Sequence, residues 1–411
     1  MDENISNVER VIGFDCHPDT FTAAILRGPT PAAAIVEKVF NKVPMQQLQS
    51  WARKNTTAKD LIVLEASGNS FEAVRTLAAV DRKALVLESC HLGKLKEAHA
   101  NNDKISAVRI GKAYLAGTAK IVWVPDPLTQ ERRDLFHTHR KATKRTTQIK
   151  NRIRSYLSDN GVRLKAATRL TCPTAETQIR AMRQWSLRQW QIIEGMFLEL
   201  RHAEEQRKHW RALIAQEVLA DPKMLSLVRL CGVREMVAFA MGAFIGEIDR
   251  FSQPKKLVKY VGLNPAFDDS GQTDWSGGVG GGHGHKDLRN LLVEAAQAIL
   301  RCSNNALAKW GRKLLARKGA RNLAVCGVAR KLTVAIWYVL KGKCAAVEEI
   351  QKDIKIKVGK IISQLGTKGL KELKKTRATL RQETYEAIKT ARVYVLNPDT
   401  KYTPRASATA A

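Results

Sequence analysis

The sequence predicts an α/β domain at the N-terminus, a long basic helical segment in the middle and a mainly helical region at the C-terminus. Short apolar runs alternate with helical patterns over the first 125 residues, which is typical of an α/β layer. Hydrophobic residues make up 44% of the 411 residues, enough to build sizeable cores. We expect four segments, with boundaries at 1–125, 126–220, 221–345 and 346–411.

The charge balance predicts a polyanionic partner. Lys and Arg number 69 against 39 Asp and Glu, which gives a formal net charge of +30. This excess is spread over the chain and indicates DNA or RNA binding rather than one small acidic substrate. The alternative is a highly charged surface that water alone solvates.

Other features of the composition exclude several classes of protein. The seven cysteines lie far apart and form no Cys-x-x-Cys pair, which argues against a disulfide framework or a zinc knuckle. No run approaches the ~18 uncharged apolar residues of a membrane span. The acidic N-terminus has no apolar signal region. We therefore expect a soluble intracellular protein.

Buried strands are predicted where short apolar runs end at polar residues. The first run ends at Asp15, a polar break covers residues 16–20, and a second run follows, which indicates a hairpin. Another run ends at Glu65. The predicted strands lie at 11–14, 21–26, 61–64, 84–87 and 121–124, and the predicted helices at 71–80 and 103–117.

This pattern of strands and helices places three carboxylates that form a candidate metal site. Asp15 and Glu65 end buried strands, and Asp103 opens a helix. Carboxylate oxygens are the ligands that Mg²⁺ prefers, and bound Mg²⁺ leaves positions open for phosphate and water. Two such ions stabilise the attacking and leaving oxygens in phosphodiester cleavage. The alternative is that Asp15 and Glu65 are ordinary residues at strand ends.

The segment after Pro125-Asp126-Pro127 is polar, basic and helical up to about Leu164. Its apolar residues are too sparse for a buried helix, so we expect a long exposed helix, paired in a coiled coil. A second long helix is predicted from about Thr174 to Leu219. The candidate nucleic-acid-binding residues of the first helix are Arg132, Arg133, Arg140, Lys141, Lys144, Arg145, Lys150, Arg152 and Arg154.

The region from residue 221 to 345 is more apolar and is predicted to be compact. A glycine turn at Leu230-Cys231-Gly232-Val233 between two helical stretches resembles a helix-hairpin-helix, a motif that holds a nucleic-acid backbone. Helices are predicted at 286–303 and 320–341. The tail from 346 is basic again, and we expect a helical arm on DNA or RNA that uses Lys371, Lys374 and Lys375, with a disordered last dozen residues.

A glycine-rich loop is predicted from Ser276 to Gly284, next to two candidate nucleophiles. Ser270 and Ser276 each precede a glycine, and a serine on a mobile loop near Lys286 and Arg289 is placed to attack a phosphate. A simple turn is the alternative. The loop is no P-loop, since Gly-Lys-Ser/Thr is missing. His283 and His285 lack companion ligands, so a hinge or a backbone-contact loop is favoured.

Taken in order, these segments resemble one family over residues 8–343. The family is the DEDD (RuvC-like) transposases of the insertion-sequence 110 group, with its 1111 branch and the Piv-type DNA invertases. The resemblance rests on six segments: Ile12-Gly13-Phe14-Asp15, Leu64-Glu65-Ala66-Ser67-Gly68, Asn102-Asp103-Lys104-Ile105-Ser106-Ala107, Asn151-Arg152-Ile153, Leu257 to Pro265 with Ser270-Gly271, and Gly284-His285-Lys286-Asp287-Leu288-Arg289.

The resemblance implies an RNA-guided DNA recombinase or transposase with a ribonuclease-H-like N-terminal domain. Asp15, Glu65 and Asp103 would bind Mg²⁺, and Ser270 would form a covalent phosphoserine link to DNA. The implied partners are donor and target DNA, a structured non-coding guide RNA, and other copies of the chain in a tetramer, a dimer of dimers. The carboxylates and the serine would then come from different protomers.

The sequence departs from the family pattern at Ser106, where the family has its fourth carboxylate. A serine hydroxyl is a far weaker Mg²⁺ ligand than a carboxylate. Three explanations stay open: Ser106 acts through water, another acid such as Asp19 substitutes, or the site is impaired. The rival functions are a metal-dependent nuclease of the junction-resolvase type, and a non-enzymatic RNA- or DNA-binding protein.

Overall fold

The computed structural model describes residues 8–89, 102–165, 168–270, 273–279, 284–302, 305–342 and 351–390. The chain divides into two compact units, Met1–Asp126 and Pro127–Ala411. The first is α/β and the second is mainly helical, as the sequence predicts. The expected disorder of the last dozen residues concerns residues outside the described part of the chain.

The first unit is built on a six-stranded mixed sheet with the strand order β3-β2-β1-β4-β5-β6. β1–β2–β3 form an antiparallel meander, β4 and β5 run parallel to β1, and β6 is antiparallel to β5. The strands are β1 Arg10–Cys16, β2 Thr20–Arg27, β3 Ile35–Pro44, β4 Asp60–Glu65, β5 Lys83–Leu87 and β6 Ile121–Val122.

The described α-helices of the first unit are α1 Leu48–Asn55, α2 Ser70–Ala78 and α3 Asp103–Leu115, and α3 carries Asp103 of the candidate site. Phe14, Phe21 and Trp51 form an aromatic core, with ring centroids 5.0 to 5.4 Å apart. β3 and α1 were not predicted from the sequence. Most residues of β3 are exposed, so the strand lacks the apolar run that marks β1, β2 and β4.

The second unit contains eleven described helices and one described hairpin. The helices are α4 Pro127–Asp159, α5 Ala175–Ala181, α6 Leu187–Ala220, α7 Pro222–Leu227, α8 Glu235–Ile245, α9 Pro254–Val261, α10 Lys286–Cys302, α11 Ala306–Lys318, α12 Arg321–Leu340, α13 Gln351–Glu372 and α14 Arg377–Thr390. The hairpin is β7 Pro265–Ser270 paired with β8 Thr273–Val279.

The basic helix α4 is covered on one face by neighbouring helices and exposed on the other. Phe136, Ile149, Ile153 and Leu157 are buried against neighbouring helices. α4 and α6 run antiparallel, and acids of α6 pair with bases of α4, for example Lys150 Nζ with Glu204 Oε1 at 2.8 Å. The pairing was not predicted from the sequence, because the acids lie on α6 and only the acids within α4 were compared with its bases.

The described part of the tail is helical, as expected, and it also packs on the rest of the second unit. One face of α13 and α14 packs into the core of the second unit through Ile354, Val358 and Ile388. Arg229 donates a 2.6 Å hydrogen bond to the carbonyl of Ile388, and Lys357 donates to that of Leu230 at 2.7 Å. The exposed side of the tail keeps Lys371, Lys374 and Lys375.

Two further segments of the second unit serve its packing. Gly232, at the predicted helix-hairpin-helix turn, has a φ of +75°, and a Cβ there would lie 2.8 Å from Ile299 of α10. The turn therefore contacts α10. By length and composition α12 is apolar enough to cross a membrane, but Arg330 and Lys331 lie within it. More than half of its apolar window is buried, as in a core helix.

Candidate metal centre and serine hairpin

The sheet places Asp15 and Glu65 at neighbouring positions. β1 and β4 are parallel and pair Phe14 with Leu64, so the next residue on each strand is Asp15 and Glu65 respectively. Both residues are half-buried at the carboxyl ends of their strands. Side chains opposite each other in parallel strands project to the same face of a sheet. The strand ends thus bring two of the three predicted carboxylates to one edge.

The third carboxylate, Asp103, is placed by the packing of α3 on β1. A Cβ on Gly13 would lie 2.0 Å from the carbonyl oxygen of Ala107, so the helix backbone rests directly on the strand. Asn102 caps the helix by accepting a hydrogen bond from the Ile105 amide at 2.9 Å. Asp103 in the first turn therefore lies beside the end of β1.

A histidine that the sequence argument did not single out completes this cluster. His17 Nε2 lies 3.5 Å from Asp103 Oδ1 and 3.9 Å from Asp15 Oδ2. One ligand atom from each of the three residues lies within 4.8 Å of the others. The available signal was the spacing Asp15-x-His17, which places the imidazole in the turn directly after the strand.

Hydrogen bonds hold the His17 turn. The His17 amide donates to the carbonyl of Thr20 at 2.8 Å, and Asn69 Nδ2 donates to the carbonyl of His17 at 2.6 Å. Ser67 in turn donates its hydroxyl proton to Asn69 Oδ1 at 3.2 Å. The turn after β1 is therefore tied to the loop after β4, which follows Glu65.

Burial raises the pKa of the Asp15 carboxyl, and nearby Asp103 raises it further. Three groups act in the opposite direction: His17, a hydrogen bond from the Ser106 hydroxyl, and Arg109. Arg109 Nη2 also donates to Ser106 Oγ at 3.2 Å. A metal ion would add positive charge next to a carboxylate that desolvation disfavours.

The described donors fit a divalent cation. Adjacent ligands of an octahedral ion at about 2.1 Å lie roughly 3 Å apart, so small side-chain rotations would bring Asp15, His17 and Asp103 into range. Glu65 adjoins Asp15 in the register but is not part of this tight group. Asp19 is exposed in the turn and is also outside the group. The suggestion that Asp19 replaces the fourth acid therefore has no support here.

The two candidate serines lie on the β7–β8 hairpin. Ser270 pairs with Thr273 next to the turn, and Ser276 pairs with Phe267 further down the ladder. The predicted loop from Ser276 is thus strand as far as Val279, which corrects that expectation. Gly271 and Gly280 to His283 lie outside the described residues, and so do the side chains of both serines.

Gly284 and His285 precede α10 and pack against neighbouring segments of the second unit. Gly284 has a φ of +78°, and a Cβ there would lie 2.4 Å from the Cα of Gly262. His285 lies with its ring centroid 4.1 Å from that of Phe244. Burial lowers the pKa of His285 to about 4. His285 is therefore neutral at physiological pH, and its Nδ1 accepts a hydrogen bond from the Leu288 amide at 3.4 Å in the first turn of α10.

The predicted nucleic-acid-binding residues divide into two groups. Several are engaged inside the second unit: Arg132 with Glu217 and Asp221, Arg133 with the carbonyls of Ala243 and Phe244, Arg140 with Asp287, Arg145 and Arg152 with Glu199, Lys150 with Glu204, and Arg154 with the carbonyl of Thr168. Lys141, Lys144 and Lys286 are exposed, and Arg289 is half-buried.

Known proteins resemble this chain in sequence. The sequence model of the family described as "Transposase IS116/IS110/IS902 family" matches residues 226–311, which contain the β7–β8 hairpin. The "Transposase for insertion sequence element IS1111A" of Coxiella burnetii is 23% identical over 283 residues, covering 68% of this chain and 77% of that protein.

Two further relatives carry similar names. "Putative transposase y4qE" of Sinorhizobium fredii is 21% identical over 308 residues, 67% of this chain and 74% of the relative. A "Probable family 20 transposase" of Pseudomonas aeruginosa is 26% identical over 153 residues, and the chain spans under half of its length (45%). Together with the family match, these relatives support an assignment of the chain to the IS110/IS1111 group of insertion-sequence transposases.

Proposed function

We propose that this transposase exchanges DNA strands through a metal-dependent reaction in which Ser270 becomes covalently linked to DNA. The observation that carries the proposal is the convergence of Asp15, Asp103 and the register neighbour Glu65 at one edge of the sheet. The strand order, with an antiparallel meander followed by parallel strands, supports a ribonuclease-H-like (RuvC-like) fold for the first unit.

Asp15, Glu65 and Asp103 would hold the divalent cation, which would supply positive charge to a phosphate oxygen when bound. The chain's own contribution is to fix these carboxylates before DNA arrives. Gly13 seats α3 on β1, and the Ser106 hydroxyl hydrogen-bonds Asp15. Such preorganisation lowers the cost of assembling the site around the substrate.

The proposed chemical step is a transesterification at phosphorus. Ser270 Oγ forms a bond to phosphorus, the bond from phosphorus to one ester oxygen breaks, and that oxygen takes up a proton to become a free hydroxyl of the cut strand. The serine proton passes to solvent. A hydroxyl of a second strand then attacks the phosphoserine, which restores the serine and joins the strands. No external energy source is needed because each step exchanges one ester for another.

We further propose that a structured RNA guides this reaction and that the protein acts as a tetramer, with carboxylates and serine from different protomers. These details follow from the resemblance in the sequence. The net charge of +30 and the exposed Lys141, Lys144 and Lys286 support binding to long polyanions.

The experiment is to purify the protein from cells that also express its flanking non-coding DNA and to sequence the RNA that co-purifies. That RNA is then added with Mg²⁺ or Mn²⁺ to matching donor and target DNA. A discrete RNA with a covalent protein–DNA adduct is expected. Cleavage that leaves free ends would favour the resolvase-type nuclease. Salt-sensitive binding without cleavage at any metal concentration would favour a non-enzymatic binding protein.

A further inference from the structure

We propose that His17 is a ligand of the bound cation, and that it makes the site select a first-row transition-metal ion, with Mn²⁺ as the representative, over Mg²⁺. The inference rests on the proposed function only in assuming that the cluster holds a divalent cation. It adds a ligand that the family's four-carboxylate pattern does not contain, and a metal preference that follows from it.

The geometry favours His17 over the other residues that could complete the set. Its Nε2 is 3.5 Å from Asp103 Oδ1 and 3.9 Å from Asp15 Oδ2, so it faces both carboxylates at once. The imidazole is 48% exposed, the Asp15 side chain 18% and the Asp103 side chain 32%. The cluster is therefore open on the side where His17 lies, and a cation and a phosphate group have access from solvent.

The backbone of His17 is constrained although its ring is exposed. Hydrogen bonds from its own amide to the Thr20 carbonyl and from Asn69 to its carbonyl fix the backbone on both sides of the His17 Cα. Asn69 belongs to the loop after β4, so the position of His17 is coupled to the strand that ends at Glu65. A side chain that served only to solvate the surface would need no such anchoring.

Ser106, at the fourth family position, already has a different role. It is only 6% exposed, it donates a hydrogen bond to Asp15, and it accepts one from Arg109 at 3.2 Å. These contacts hold the Asp15 carboxylate in place. Ser106 is therefore a positioning residue for a metal ligand, and the fourth donor comes from the more exposed His17.

The donor set predicts the metal preference. Mg²⁺ takes oxygen ligands almost exclusively and releases its water reluctantly, so an imidazole nitrogen adds little to its binding. Transition-metal ions accept imidazole readily, and Mn²⁺ among them also keeps carboxylate and water ligands. The carboxylates of Asp15, Glu65 and Asp103 together with one imidazole therefore suit Mn²⁺ better than Mg²⁺, whereas the four-carboxylate pattern suits both ions.

The alternative is that His17 only neutralises Asp15 and Asp103 as an imidazolium. In that case a bound cation would take the place of the positive charge on His17. Removal of the imidazole would then leave the affinity for the metal ion equal to that of the wild type or higher. A direct ligand gives the opposite result. The ¹⁴N nucleus of a coordinated imidazole also couples to the electron spin of Mn²⁺, which electron spin echo envelope modulation detects without any enzymatic reaction.

The experiment titrates Mn²⁺ and Mg²⁺ into the full-length protein, with and without a duplex DNA, and records the spin echo modulation of bound Mn²⁺. The variants are His17→Ala and His17→Asp, with His202→Ala as a matched control because His202 is exposed on α6. We expect ¹⁴N coupling in the wild type and the control. His17→Ala should lose the coupling and bind Mn²⁺ about tenfold more weakly. His17→Asp should shift the preference toward Mg²⁺.

Bound Mn²⁺ without ¹⁴N coupling in the wild type would overturn the inference, and so would a failure to bind Mn²⁺ both with and without DNA. An unchanged Mn²⁺ affinity in His17→Ala would also contradict it. These outcomes are separable from the proposed function. Covalent adducts with Mn²⁺ but no ¹⁴N coupling would remove the His17 assignment alone, and ¹⁴N coupling without adducts would count only against Ser270.

Discussion

A Cβ atom on Gly13 would lie 2.0 Å from the carbonyl oxygen of Ala107 and 2.7 Å from the amide nitrogen of Gly111. α3 therefore lies on β1 at backbone distance, with glycine on both surfaces. Asp15 follows Gly13 by two residues and Asp103 precedes Ala107 by one helical turn. This single contact thus sets the distance between the two carboxylates of the candidate metal centre.

Gly13→Ala is expected to disrupt this centre. The added methyl group meets backbone atoms, which cannot rotate away, so α3 must move and carry Asp103 with it. We expect a loss of about 3 kcal/mol of stability in the first unit and a loss of metal affinity. Thermal unfolding and Mn²⁺ titration check both. Gly68→Ala is the control, because a Cβ there has no neighbour within 4 Å; an equal effect in both variants would contradict the account.

Substitutions at Ser106 should separate positioning from ligation. Ser106→Ala removes the hydrogen bond to Asp15 and should weaken metal binding severalfold, with a loss of about 1 kcal/mol of stability. Ser106→Asp adds a carboxylate beside Asp15 and Asp103, so the metal-free protein should melt at a lower temperature and the stabilisation by Mg²⁺ should increase. Melting curves with and without each ion test this. A Ser106→Asp variant as stable as wild type without metal would argue against a close carboxylate cluster.

Exposed and ion-paired bases of α4 should differ in their effect on nucleic-acid binding. Lys141 and Lys144 are exposed and three residues apart on one helix. The double change to Ala should reduce the slope of log affinity against log salt by about 2, as measured by fluorescence anisotropy with labelled DNA or RNA. Arg132 pairs with Glu217 and Asp221, so Arg132→Ala should instead lower the melting temperature of the second unit. An unchanged salt slope in the double variant would exclude these lysines from the interface.

Acid should destabilise the second unit through His139. Burial, with the nearby charges of Arg211 and Arg207, lowers the pKa of His139 to about 4, while Glu235 opposes the shift. Between pH 6.5 and 4 the unfolded chain binds a proton that the folded chain does not, so stability falls as pH decreases, by an amount on the order of 3 kcal/mol. His139→Gln should make the melting temperature less dependent on pH in this range, and His285, whose pKa is also about 4, should account for part of the remaining dependence. The same slope in the variant would show that His139 is not the source.

The sequence predicted the strand-end carboxylates because parallel strands expose their carboxyl ends at one edge, and β1 and β4 are apolar enough to be recognised. It did not predict β3, since most residues of that strand are exposed. It also did not predict the ion pairs of α4, because the acids that pair with its bases lie on α6, far along the chain. His17 was not predicted as a site residue because its place in the cluster depends on α3, which brings Asp103 close to the turn that contains His17. Long-range contacts of this kind leave little trace in local patterns.

The most direct test of the account is to identify the residue that carries DNA in the covalent adduct. Protein, co-purified RNA, Mn²⁺ and matching DNA are incubated, the adduct is digested with protease and nuclease, and the modified peptide is sequenced by mass spectrometry. Ser276→Ala is the matched control for Ser270→Ala, since both serines lie on the β7–β8 hairpin. We expect a nucleotide attached to Ser270 through its phosphate. It should be present in the Ser276→Ala variant and absent from the Ser270→Ala and Asp15→Asn variants. An adduct on another residue, or one that persists in Ser270→Ala, would contradict it.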